Sequence, residues 1–147
     1  MAFQVTMLLA DAAQAMENKL YVIGGGWSVL RGQVPTALAI LVKVPWDQTN
    51  TKHQLRLDLV DSDGRPVQLT GPLGDQPVVI ENELEVGRPP GVAPGASIDL
   101  AMAITLGPLP LPNGRYEWRL SIGEESREDW RLPFEVAVDA TAASPAD

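Results

Sequence analysis

Pro112-Asn113-Gly114-Arg115-Tyr116-Glu117-Trp118-Arg119-Leu120-Ser121-Ile122-Gly123 decides the fold class, because an Asn-Gly turn dipeptide launches a run in which large apolar and polar side chains alternate. Tyr116, Trp118, Leu120 and Ile122 fall on one side, and Glu117, Arg119 and Ser121 on the other. Successive side chains of an extended chain point to opposite faces of a sheet, so a period of two predicts a strand with one buried and one wet face. The apolar side is expected at the centre of a core. The run defines architecture and names no chemistry.

The same pattern recurs on both sides of it. Upstream, Pro108, Pro110 and Pro112 predict an extended connection, and before that Ile98, Leu100, Met102, Ile104 and Leu106 form the longest alternating run, Ser97 to Leu106. Gln54 to Val60 alternates around Leu55, Leu57 and Leu59, and ends in the turn Asp61-Ser62-Asp63-Gly64, with Arg65 to Leu69 as a hairpin partner. In Val78 to Val86, Glu81, Glu83 and Glu85 share one face, which therefore has to meet water. Thr36 to Val44, after Pro35, is nearly all apolar and reads as a strand near the centre of a sandwich. Phe3 to Leu9 begins the chain as a strand. Asp11 to Asn18 has helical composition, with Asp11 as a cap, and predicts one or two turns.

Lys19 to Ile23 resumes strand character, and Gly24-Gly25-Gly26 beside a packed Trp27 predicts either a bulge or a close approach of another backbone. Gly87 to Gly95 is a proline-rich loop. Arg131 to Val138 is the last strand, with Phe134, Val136 and Val138 inward, and Ala140 to Asp147 reads as a disordered tail. The result is an all-β, antiparallel sandwich of about eight strands, with at most one short helix near residues 11–18. One domain spans residues 1–139, followed by the tail at 140–147.

Composition narrows the function classes. At 147 residues, a single domain can bury roughly 70% of the surface its unfolded chain exposes, so no staple is needed. A formal net charge of −8, with scattered Lys and Arg, disfavours nucleic acid and anionic membrane surfaces. No apolar stretch reaches the ~18 residues of a membrane span. The apolar start of the chain is not expected to be a signal peptide, because no Lys or Arg precedes it and Asp11 ends it early. There are no cysteines, hence no disulfides, thiolate nucleophiles or cysteine-ligated metal.

His53 is the only histidine and opens a strand, so it reads as an ordinary edge residue. The glycine run lacks the Lys-Ser/Thr pair of a phosphate loop, and Asp61 to Gly64 lacks the acidic twelfth position of a calcium loop, where Pro72 falls. The carboxylates of Glu81, Glu83 and Glu85, and of Glu124, Glu125, Glu128 and Asp129 in an expected hairpin loop, read as solvated edges. No metal, cofactor or catalytic residue is expected. Trp27 and Trp118 read as core. Trp46 and Trp130, placed in polar loops, together with Glu81, Glu83 and Glu85, are the candidate interaction surface, since a planar ring offers large contact area at low entropy cost.

Leu9-Ala10-Asp11, Asn18 to Trp27, Pro35 before an apolar strand, and Leu57 to Gly64 together resemble a widespread bacterial family of single-domain proteins with no assigned function, over roughly residues 5–138. That resemblance implies an immunoglobulin-like or related sandwich, jelly-roll topology being the other choice, in a cytoplasmic bacterial setting. It implies no catalytic or binding residue. The expected function is a non-catalytic interaction or structural module with a protein partner, including self-association through a sheet face or edge. The alternative is a small-ligand or carbohydrate-binding domain in which Trp46 or Trp130 stacks on a sugar; an enzyme would have to work with carboxylates alone.

Overall fold

A computed structural model describes residues 2–138. The expected tail at 140–147 lies outside the described residues. In chain order the strands are β1 (Gln4–Met16), β2 (Lys19–Gly25), β3 (Val29–Leu30), β4 (Thr36–Val44), β5 (His53–Asp61) and β6 (Gln68–Gly71). They continue with β7 (Gly74–Pro77), β8 (Val79–Leu84), β9 (Ile98–Leu106), β10 (Gly114–Ile122) and β11 (Glu125–Val136). One sheet has the order β2-β1-β4-β9 and the other β3-β11-β10-β5-β8, while β6 and β7 form a separate hairpin. Pairing is antiparallel except for the short parallel contact of β3 with β11. No helix among the described residues is long and apolar enough to cross a membrane.

The alternation in β10 does what period two requires. Tyr116, Trp118, Leu120 and Ile122 are buried, Trp118 to 1% exposure, and the residues between them face outward. Leu55, Leu57 and Leu59 of β5 extend this layer. From the other sheet come the rows Val5–Val42–Leu100, Met7–Ile40–Met102 and Leu9–Leu38–Ile104. Each fully buried aliphatic or aromatic side chain contributes about 1.5–3 kcal/mol, so the two layers hold each other.

The chain crosses between sheets after β9, on the proline-rich link. There the Tyr116 hydroxyl donates to the Pro112 carbonyl at 2.7 Å, tying the start of β10 to its own approach. Asn113 fixes the same corner, its Oδ1 accepting from the Val138 N–H at 2.8 Å. Burial, and secondarily the Asp61 carboxylate, raise the Tyr116 phenol above its ordinary value of 10.0.

Three expectations are corrected. Asp11–Asn18 is not helical: β1 runs unbroken to Met16, and Glu17 and Asn18, at φ 51° and 57°, turn the chain into β2. Both central residues at positive φ make this the type of two-residue turn that matches strand twist. Eight residues cannot sustain a helix alone, whereas Ala12, Ala13 and Ala15 gain a full ladder opposite Ile23, Val22 and Leu20. Among the described residues the single helical turn lies instead at Trp46–Gln48, in the expected loop. The polar loop before Trp130 is also strand, because Gly123, at φ 62°, and Glu124 suffice to turn β10 into β11. The strands among the described residues number eleven against about eight, β7 among the additions, and β6 pairs with β7 while Arg65 to Leu69, the expected hairpin partner of β5, joins it at the Val60–Pro66 bridge.

Trp118→Ala should cost about 3–5 kcal/mol in urea unfolding; a near-neutral result would contradict its place in the core. A raised phenol value means that the folded state holds the proton more tightly. The stability linked to Tyr116 is therefore complete below pH 10.0 and lost as pH rises through the folded value. Tyr116→Phe should lose about 1 kcal/mol at neutral pH and flatten that alkaline decline, checked by unfolding both proteins across the range.

Candidate functional site

The structure does not gather the sequence-named residues into one site. Trp130 points inward from β11, is 0% exposed, and its Nε1 has no hydrogen-bond partner among the described residues. It is core and has no face to offer, which corrects its place on the candidate surface. Trp46 is half-buried, and the Arg88 guanidinium lies 3.8 Å from its ring centre. Arg88 also donates from Nε to Thr49 Oγ1 at 2.7 Å and from Nη2 to the Trp46 carbonyl at 2.8 Å, so one face of that ring is occupied. Glu81, Glu83 and Glu85 are exposed along the β8 edge, with Glu81 3.7 Å from Arg56 and Glu83 accepting from Gln54 at 3.3 Å. Strands β10 and β5 separate that edge from β11.

The remaining motifs resolve structurally. His53 Nε2 lies 2.9 Å from the Gln48 carbonyl and its ring meets Phe3 edge-on at 5.1 Å. Asp61 Oδ1 accepts from the N–H groups of Asp63 and Arg65, and Gly64 takes φ 78°, an ordinary polar turn. No group of three or more His, Cys, Asp or Glu able to hold a metal ion occurs among the described residues. The glycine run is not a bulge, since the β1–β2 register is the same at Ala10–Gly25 as at Ala12–Ile23. It permits close approach: a Cβ on Gly24 would strike the Asp11 carboxylate, and one on Gly25 would lie 2.5 Å from Val22 Cγ1 and 2.9 Å from Leu8 Cδ1.

Sequence reasoning missed the most unusual surface. Large hydrophobic side chains are exposed at Met16 (48%), Tyr21 (45%), Val22 (39%) and Ile23 (70%), all on the β1–β2 hairpin; among the described residues only Val34 and Leu73 join them. The visible signal was Leu20-Tyr21-Val22-Ile23, four consecutive apolar residues beside a glycine run, which read as a strand with no face assigned to solvent. Instead β2 stands at the end of its sheet with β1 as its sole ladder partner.

The other edges are protected. β8 carries its glutamates, and β3 is two residues long. On β9 the hairpin tip supplies the cover. Asn18 Nδ2 donates to the Asp99 carbonyl at 2.6 Å while its Oδ1 accepts from the Ala101 N–H at 2.9 Å, one side-chain amide filling a strand's place. The returning hairpin also forms a hollow in which Ala12, Ala13, Gln14, Tyr21 and Ile23 meet Thr105. Ala37 and Ala39, which alternate with the core residues of β4, are buried as well.

Fold and surface together define a β-sandwich domain with one apolar, unprotected hairpin edge. The family model for DUF6941, a family of unknown function, matches residues 5–137, and the chain belongs to that family. No curated protein matches the chain in sequence.

Asn18→Ala should cost about 1 kcal/mol and accelerate hydrogen exchange at the Ala101 amide, measured residue by residue; unchanged exchange there would refute the clasp. Gly24→Ala should lower the melting temperature more than Gly26→Ala. Both positions have positive φ, but only Gly24 adds a collision, a Cβ on Gly26 meeting nothing within 4 Å.

Proposed function

We propose that the protein is a non-catalytic interaction module of immunoglobulin-like topology that binds a protein partner through its β1–β2 hairpin. One observation carries the reading: among the described residues, four of the six exposed large hydrophobic residues sit on this one hairpin, beside an unpaired strand edge. Scattered apolar residues need no explanation, but a cluster on an open edge is what a partner strand recognises. The topology supports the frame. Taking β1, β4 and β9 as A, B and E, and β8, β5, β10 and β11 as C′, C, F and G, reproduces the division of strands between immunoglobulin sheets. A tyrosine near the start of F that bonds back to the preceding connection belongs to the same pattern. Sugar stacking is the weaker reading, because Trp130 is buried and Arg88 covers one face of Trp46.

The test uses the full chain as tagged bait, with both source-cell lysate and an untagged copy as prey. Val22→Lys/Ile23→Lys adds charge to solvent-exposed positions, so its unfolding temperature should stay close to that of the parent. Its retention of prey should fall at least tenfold, about 1.4 kcal/mol. Equal retention by parent and variant would overturn the reading.

A further inference from the structure

We infer that the hairpin's partner is a second copy of this chain, bound by antiparallel pairing of β2 with the same strand of that copy about a two-fold axis at Tyr21. This rests on the hairpin being the contact surface. The backbone sets the register. The two-residue turn makes Met16 and Lys19 a hydrogen-bonded pair, and bonded pairs alternate along an antiparallel ladder. Lys19, Tyr21 and Ile23 therefore direct their N–H and C=O groups toward β1, while Leu20 and Val22 direct theirs into solvent. Gly24, at φ 62°, ends the regular strand geometry. Leu20 and Val22 are left as the outward pair, and a two-fold at Tyr21 sets Leu20 opposite Val22 of the other copy. The two copies then exchange four backbone hydrogen bonds, using every outward donor and acceptor of those residues.

Charge selects a second copy at this place. Two chains of net charge −8 repel, and pairing at β8 would bring Glu81 and Glu83, with Glu85 just past the strand, against their own kind. Lys19–Gly25 contains no acidic residue and one lysine, at the end of the strand. It is the edge where two copies of an acidic protein meet without opposing carboxylates. In this register Tyr21 faces Tyr21 and Lys19 faces Ile23, so the exposed apolar side chains cover one another. The interface is self-complementary and closes at two.

The absence of cysteine makes the geometry testable with single introduced thiols. Tyr21 lies on the axis as a non-hydrogen-bonded pair, whose Cα atoms sit ~4.5 Å apart, within disulfide reach. Tyr21→Cys should oxidise to a cross-linked dimer, whereas Asp75→Cys, on exposed β7, should not. The parent should sediment at twice 15.8 kDa. Val22→Pro removes an outward N–H without removing a bond to β1, and Val22→Lys adds charge while leaving the backbone intact; both should sediment as monomers at an unfolding temperature near the parent's. A dimer that persists in both variants with no Tyr21 cross-link lies elsewhere and overturns the inference. A monomeric parent whose hairpin still captures another protein also overturns it, while leaving the interaction module standing. A monomeric parent with no hairpin-dependent capture removes both.

Discussion

Two sheets can share a core only where the chain passing between them arrives at a fixed place, and the hydrogen bond from Tyr116 to Pro112 sets that place here. Prolines at 108, 110 and 112 hold the link extended, so it reaches β10 with little freedom to lose. The hydroxyl then binds the last of those prolines at its carbonyl. Once the corner is set, the register of β10 follows, and with it the inward row from Tyr116 to Ile122 that both sheets pack against. A slip of one residue would turn Glu117, Arg119 and Ser121 into that core.

The parts of this arrangement that rest on periodicity were legible from the sequence. β4 runs from Thr36 to Val44 as expected, because a strand near the centre of a sandwich needs an almost unbroken apolar run. β10 was legible because its turn dipeptide and alternation agree. Glu81 and Glu83 of β8, with Glu85 just beyond it, announced a wet side, since three like charges cannot be packed inward. Two segments were misread for reasons of context. Ala12, Ala13 and Ala15 have a local preference for helix that is too weak to prevail over a cross-strand ladder. The polar run before Trp130 conceals a strand because a two-residue turn needs only Gly123 and Glu124.

The candidate surface was hardly legible at all, and the cause is physical. An apolar tetrapeptide such as Leu20-Tyr21-Val22-Ile23 is the same in sequence whether a second layer covers it or not. Its exposure follows from the hairpin leaving β4 beyond Ala10 and returning toward β9, a tertiary path with no local code. Trp130 errs in the opposite direction. Polar neighbours suggested a loop, while the ring is buried with its N–H unpaired among the described residues, a desolvation cost of about 1–3 kcal/mol that the ring's own burial offsets.

Asn18 also governs how an assembly of such chains would end. Its amide takes the Asp99 carbonyl and the Ala101 N–H, the two groups an incoming strand would need at that end of β9, so β9 is blocked there while β2 stays open. Were that amide withdrawn, every molecule would have two dissimilar open edges, β2 and β9. Docking one onto the other repeats head to tail instead of closing on itself, and leads to a growing fibre. In the proposed self-association, a single asparagine in a hairpin turn would thus act as a chain terminator, the residue that separates a finite particle from a polymer.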